Sequence, residues 1–279
     1  MKNPLHYYLS KFSLTEPELI ANTQSAKVWK ALSYDGSWVA LKVYKHGTMG
    51  NEASGFDFLR AASKTFAARV VDTSEDAAVT EWLDGPSLGD LARTGHDTKA
   101  AEELGGIASG LHNQLGQVSP SMPKLVDWLS DFTSIPPNSL LSAEHKALLV
   151  VARELAMALT SKMQDVRPLH GDLHYENVRL CARGYCAFDA KGVIGPRAYE
   201  LANAFRHPTD MPTLVRDNDR IRRVRDIWCQ SLNVPPKVLM QWAVVKCALS
   251  ITWRQTQNPG TDLEFDLLSN LIAVMNETN

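Results

Sequence analysis

At Leu83-Asp84-Gly85-Pro86 the chain changes its hydrophobic period, and this break constrains the fold more than any other feature. Upstream, Ala26–Ser33 and Ser37–Lys45 are rich in Val, Trp, Tyr and Ala and flank Tyr34-Asp35-Gly36. An Asp-Gly step between two such runs signals a hairpin. Met49–Ser63 places Phe56, Leu59 and Ala62 at helical spacing, and Arg69–Thr73 and Ala77–Trp82 are short strand-like runs. Downstream, Asp97–Leu115, Ala143–Met163, Leu214–Leu232, Pro236–Gln255 and Asp262–Met275 have helical length and period, with Asp97 and Ser142 as N-cap candidates. Gln117–Pro123 and Ser134–Ser139 read as loops. The expectation is an α+β fold. A small β-rich lobe (1–83) carries one helix against its sheet, and a larger, mainly helical lobe covers 84–279.

A chain of 279 residues buries enough surface to fold without staples. Lys+Arg 29 against Asp+Glu 31 gives a net charge of −2, so no global field recruits nucleic acid or an anionic membrane. Cys181, Cys186, Cys229 and Cys247 form no C-x-x-C pair, which points to a reducing compartment. Met1–Ile20 has no long apolar run, and the apolar stretches Ala147–Leu159 and Val238–Ile251 are interrupted by Arg153, Glu154 and Lys246. These features lead us to expect a cytoplasmic protein, monomer or homodimer, with neither nucleic acid nor membrane as partner. Trp228, Trp242 and Trp253 read as core, and the basic run Arg216, Arg220, Arg222, Arg223, Arg225 as a solvated helix face.

One region, Pro168–Gly192, breaks the helical pattern with loop, short strand, turn and short strand. It contains His170-Gly171-Asp172-Leu173-His174-Tyr175-Glu176-Asn177, and twelve residues later Asp189. Phosphoryl transfer needs a group that orients the attacking hydroxyl and takes its proton, and oxygen ligands that hold Mg²⁺ on the phosphates. Asp172 suits the first role, Asn177 and Asp189 the second. A phosphate-binding lysine belongs on an upstream strand, and Val39-Ala40-Leu41-Lys42 supplies Lys42. Strand alternation puts Ala40 on the same face, leaving room for a flat adenine. Glu52 is the candidate ion-pair partner of Lys42.

In this order and spacing the sequence resembles the aminoglycoside phosphotransferase branch of the protein-kinase-like fold, and within it the streptomycin-kinase-like group of aminoglycoside or hydroxyurea resistance kinases. The group's His-Gly-Asp-Leu-His-x-x-Asn block stands at His170–Asn177, its Asp-Pro-Lys-Gly block at Asp189-Ala190-Lys191-Gly192, and its Gly-x-x-x-Tyr-Asp-Leu-Ala-Asn block at Gly195–Asn203. The resemblance spans Lys42 to Asn203 and implies a two-lobed kinase fold. It also implies ATP or GTP with Mg²⁺, and a small-molecule hydroxyl as acceptor, as in antibiotic resistance by O-phosphorylation. By the same resemblance Glu81–Leu83 is the hinge whose backbone meets the adenine, with Glu81 and Leu83 as nucleotide contacts.

Three positions depart from the pattern. Asn22-Thr23-Gln24-Ser25-Ala26-Lys27, where a phosphate loop belongs, holds no glycine; Ala190 replaces proline; Glu200 replaces aspartate and reads as a structural tie to the catalytic loop. His170 reads as a structural residue that sets the loop, while His174 and Tyr175 either shape the loop or face the acceptor. A cationic acceptor calls for carboxylates at the cleft, for which Glu264 and Asp266 are candidates. The competing readings are a kinase of a metabolic sugar or amino alcohol, a nucleotide-binding module with little catalysis, and a metal hydrolase built on His170, Asp172 and His174.

Overall fold

The computed structural model describes residues 4–62, 65–116, 121–134, 140–257 and 262–277. The N-terminal part is a five-stranded antiparallel sheet with strand order β1-β2-β3-β5-β4. Its strands are β1 (Leu14–Asn22), β2 (Ala26–Ser33), β3 (Trp38–Tyr44), β4 (Val70–Thr73) and β5 (Ala77–Glu81). The predicted hairpin at Tyr34-Asp35-Gly36 is present, with Gly36 at φ 83° and Asp35 Oδ1 accepting from Ser37 N. Alternation along β3 does the sorting. Val39 and Leu41 pack with Trp29, Ala31, Ala77, Val79 and Tyr8 of α1 (Pro4–Lys11), while Ala40 and Lys42 face the opposite side. There α2 (Ala53–Ala61) crosses the sheet, bringing Phe56 and Leu59 against a cluster continuous with the helical part.

β1 and α1 lie outside the sequence expectation. β1 contains Pro17, bulges twice against β2 and is exposed along most of its length, so it offers no period-2 signal. Pro and bulges belong on an edge strand.

The C-terminal part contains α3 (Leu88–Leu91), α4 (Asp97–Asn113), α5 (Leu125–Ser134), α6 (Ala143–Thr160), α7 (Pro212–Val215), α8 (Asn218–Leu232), α9 (Pro236–Gln257) and α10 (Phe265–Asn276). Two small antiparallel ribbons carry the central segment: β6 (Val166–Leu169) with β9 (Val193–Pro196), and β7 (Val178–Cys181) with β8 (Gly184–Ala187). Ser142 caps α6 as expected, accepting from His145 N. The predicted helix Leu214–Leu232 is two helices, because Asp217 stops the first and caps the second through Asp219 N and Arg220 N. The loops expected over 117–123 and 134–139 fall largely outside the described residues.

Asp97 is not an N-cap. It opens α4 buried and binds Arg220 through two hydrogen bonds of 3.0 Å. The expected solvated face therefore hides one fully buried guanidinium, which also donates to His207 O and the Tyr175 hydroxyl. Trp228 and Trp242 are core, but Trp253 is 41% exposed and lines a cavity. No helix among the described residues is long and apolar enough to cross a membrane.

Candidate active site

Two cavities each draw their lining from both parts of the chain. The first, about 270 Å³, is mainly apolar and lined by Val28, Ala40, Ala78, Leu83, Phe188 and neighbours, with Lys42 and Asp189 also in the lining. The second, about 650 Å³, is lined by Asp172, Asn203, Lys191 and His174 from the central segment, Trp128 from α5, and Lys246 and Trp253 from α9.

Lys42 joins the sheet to the central segment. Its Nζ lies 2.6 Å from Glu52 Oε2 and 2.8 Å from Asp189 Oδ1. Glu52 also accepts from the Tyr44 hydroxyl at 2.7 Å and from Lys191 Nζ at 3.0 Å. Burial opposes ionisation of Glu52 and Asp189, but the two ammonium groups outweigh it and hold both carboxyls below their usual range. Two close approaches fix this network. Gly192, at φ 63°, would drive a Cβ to 2.2 Å from Ser54 O, and a Cβ on Gly55 would meet Ala190 O at 1.8 Å. Glycine at both places lets the turn that carries Glu52 press onto the segment that carries Asp189 and Lys191.

The His170–Asn177 block is held from behind. The buried Glu200 carboxylate accepts from His170 N at 3.0 Å, Gly171 N at 3.1 Å and His112 Nε2 at 2.8 Å. His170 is fully buried, its Nε2 bound to Phe188 O at 3.0 Å and its Nδ1 accepting from Asp172 N at 3.3 Å. Both ring nitrogens are thus committed within the protein, which rules out the metal site of His170, Asp172 and His174. Burial pushes the His170 pKa down, so the ring stays neutral.

Asp172 keeps one carboxylate oxygen on Asn203 Nδ2 at 2.8 Å, and His174 Nε2 stands 4.0 Å from the other. Burial opposes its charge, but His174, Lys246 and Lys191 reverse the balance and lower its pKa. Asn177 donates its amide to Asp172 O at 3.0 Å, which leaves the amide oxygen as the end for a cation. His174 stacks on His207 with ring centroids 3.7 Å apart, and both lean on Glu176 Oε2, at 3.2 and 2.5 Å. Arg93 completes this tie, 3.1 Å from Glu176 and 2.8 Å from Asp210.

Of the sequence candidates, Ala40, Lys42, Glu81, Leu83 and Asp189 line the first cavity, and Asp172 and His174 line the second. The Glu81 carboxylate is taken by Arg183, 2.9 Å away. Three candidates behave differently. Tyr175 is fully buried against Trp228 and lines neither cavity, so it shapes the loop and cannot meet an acceptor. Asp266 points to solvent and pairs with Arg216 at 3.2 Å. Glu264 lines an adjoining cavity of about 470 Å³, but Arg206 and Arg254 both bind it at 2.8 Å, so its charge is already neutralised. Sequence reasoning missed Lys191, Asn203, His207 and Lys246. The first two stand inside the quoted motif blocks, which was the available signal.

The family description "Aminoglycoside/hydroxyurea antibiotic resistance kinase" matches this chain over residues 11–258. The chain belongs to that family. Among curated relatives it is 30% identical over 209 residues to streptomycin 3''-kinase of Klebsiella pneumoniae, covering 73% of this chain and 76% of the relative. It is 25% identical over 246 residues to streptomycin 6-kinase of Streptomyces griseus, covering 84% and 76%. Among solved structures it superposes on a choline/ethanolamine kinase family protein of Mesorhizobium loti with TM-score 0.69 at 15% identity, covering 98% and 91% of the chains. It superposes on an aminoglycoside phosphotransferase in ternary complex with ADP and hygromycin B with TM-score 0.63 at 12% identity, covering 97% of each. As a member of the resistance-kinase family the chain is a small-molecule kinase with the protein-kinase-like fold, and its acceptor group is a hydroxyl.

Proposed function

We propose that this kinase transfers the γ-phosphoryl group of ATP or GTP to a hydroxyl of a streptomycin-like aminoglycoside, conferring resistance. The observation that carries the reading is one charged network, Lys42–Glu52–Lys191 with Asp189, standing between an adenine-sized apolar cavity and a polar cavity floored by Asp172. In this reading the purine lies between Val28, Ala40 and Leu83 against the backbone of Glu81–Leu83, and Lys42 holds the phosphates. Asp189 and Asn177 offer a carboxylate and an amide oxygen, a hard-oxygen donor pair suited to Mg²⁺. When bound, Mg²⁺ neutralises charge on the phosphate oxygens.

Asp172 is the group that receives the acceptor proton. Ionised and fixed by Asn203, it accepts the hydroxyl hydrogen as that oxygen forms its bond to phosphorus and the bond to the departing nucleoside diphosphate breaks. Positioning and charge neutralisation in a closed cleft supply most of the acceleration. The phosphate turn works without glycine in this scheme. Thr23 Oγ1 accepts from Ala26 N at 3.1 Å and closes the turn through its own side chain. The lobes divide at Leu83/Asp84, and cleft closure pivots about Leu83–Pro86, where Gly85 N and Leu180 N bind across to Leu180 O and Pro86 O. Asp127 and Trp128 are the residues of the second cavity suited to a cationic ring of the acceptor.

The test is nucleoside-diphosphate release with Mg-ATP and Mg-GTP against streptomycin, other aminoglycosides, sugars and amino alcohols, with Asp172→Asn alongside. Streptomycin-dependent release that is lost in Asp172→Asn supports the reading. Release with a sugar or amino alcohol alone replaces the acceptor. Nucleotide binding with no acceptor-dependent release makes the chain a binding module.

A further inference from the structure

The floor of the second cavity carries a charge that the scheme above does not use. Lys246 lies on α9 between buried Trp242–Val245 and buried Cys247–Leu249, and is itself only 5% exposed. Its Nζ lies 3.3 Å from Ser250 Oγ and 5.0 Å from the centre of the Trp253 ring. Lys246, Ser250 and Trp253 follow one another at helical spacing and all line the same cavity as Asp172. Among the described residues no carboxylate lies within ion-pair distance of Lys246. The nearby acids are engaged elsewhere: Glu264 with Arg206 and Arg254, Asp262 with Arg254, and Asp172 with Asn203.

An ammonium carries three N–H donors, and Ser250 accepts one. Burying a cation without a paired anion or a full set of acceptors is costly, and replacing it by an apolar group of similar shape removes that cost. A fold that keeps such a group aimed into a cavity gains only if something entering the cavity supplies the missing acceptors. Burial draws the Lys246 ammonium down to about 8 while Asp172 works against the shift, so the group remains largely protonated at neutral pH.

We propose that Lys246 is an acceptor-binding residue, donating to a hydroxyl or carbonyl oxygen of the substrate beside the hydroxyl that Asp172 orients. The proposal rests on the O-kinase reading and deepens it. The part of the acceptor that enters deepest presents oxygens, not ammonium groups, and any cationic group of the same molecule stays toward Asp127 and Trp128. Specificity at the reacting end is then set by a fixed donor on α9, to which Ser250 gives direction and the Trp253 ring gives an electron-rich wall.

The test is steady-state kinetics on the full chain with Mg-ATP and, separately, streptomycin and hydroxyurea, for wild type, Lys246→Met and Ser250→Ala. We expect Lys246→Met to raise the acceptor KM at least tenfold, to leave the ATP KM within twofold, and to melt no lower than wild type. Ser250→Ala moves the acceptor KM in the same direction by less. An acceptor KM within twofold of wild type in Lys246→Met overturns the proposal. If kcat then falls alone, Lys246 acts only as the charge neighbour of Asp172. Wild type that releases ADP with neither acceptor removes the O-kinase reading for these substrates and this proposal with it.

Discussion

Asn203 Nδ2 lies 2.8 Å from Oδ1 of Asp172, so the carboxylate proposed to take the acceptor proton is held by a side chain from the next segment of the chain. Arg206 Nη1 lies 2.6 Å from Asn203 Oδ1, which fixes which end of the Asn203 amide donates. Asn203→Leu keeps the volume and removes the donor. We expect kcat to fall about 10–100-fold with the ATP KM unchanged, because the lost interaction orients the base and does not bind nucleotide. An unchanged kcat in a stopped-flow or steady-state assay would remove Asn203 from the positioning set.

Lys42 binds Glu52 and Asp189 at once, so in the proposed scheme its loss affects both the phosphates and the candidate cation ligand. Lys42→Met is expected to lower kcat/KM for ATP by about 10²–10³, the scale of losing one charged donor on a developing phosphoryl charge. Glu52→Gln should give a smaller loss, because Asp189 still holds Lys42. Acceptor affinity by calorimetry should change less than threefold in either variant, since neither residue lines the cavity proposed for the acceptor.

How much of this was legible in advance follows from where each residue stands. Lys42, Asp172, Asn177 and Asp189 sit in short runs whose local spacing is itself the signal, and Gly192 is in its block because α2 leaves no room for a Cβ. Arg220 was unreadable as a core residue, since its only mark is a basic helix sequence. It is buried by Asp97, 123 positions away. Lys246 and Trp253 lie on a helix with ordinary periodicity, and only the packing of α9 against 202–206 turns them toward Asp172. Glu264 and Asp266 were plausible acids by type, but Arg206, Arg254 and Arg216 reach them first. β1 was hidden by its exposure, and α5 by its position just beyond a proline-rich loop.

The Glu200 carboxylate is wholly buried and holds the start of the His170–Asn177 block by two backbone N–H groups. Burial alone would raise its pKa, but His112, His170 and the backbone donor outweigh burial and lower it. A depressed carboxyl contributes stability that is present above its unfolded value, about 4.3, and lost as pH falls through the folded value. Glu200→Ala leaves His112 and both amides without their acceptor and should cost about 3 kcal/mol in urea unfolding at pH 7. The difference from wild type should shrink below about pH 4. Glu200→Asp, which keeps the charge one methylene short, should recover part of the loss.

The buried pair of Arg220 and Asp97 makes the same kind of prediction away from the chemistry. Arg220 donates to both Asp97 oxygens and to His207 O, so it ties α8 to α4 and to the segment beneath His174. Arg220→Met leaves the Asp97 carboxylate with only the longer contact to Arg223, at 3.7 Å, and should destabilise by about 3 kcal/mol. The double variant with Asp97→Leu should recover much of that, since it removes both charges. If the double variant is no more stable than Arg220→Met, the pair is not what makes that position sensitive.

Lys246 gives the sharpest pH test. The titratable groups acting on it are Asp172 from the His170–Asn177 block, Arg206 from 202–206, Glu264 ahead of α10 and Cys247 beside it on α9. Asp172 and Glu264 have lowered values and Arg206 a raised one, and burial pushes the Cys247 thiol up to about 12. Between pH 7 and 9.5 only Lys246, at about 8, therefore changes charge within this set. If its ammonium donates to the acceptor, the acceptor KM is flat below about pH 8 and climbs about tenfold per unit well above it, while the ATP KM does not follow. Lys246→Met should start from the high KM and show no such rise. Stability moves the opposite way. A lysine depressed below its unfolded value of about 10.4 lets the unfolded chain bind the extra proton across that window, so the wild type gains stability as pH rises from about 8 to 10. Acceptor affinity falling while the melting temperature rises over the same pH range is a combination that general alkaline loosening of the fold would not produce.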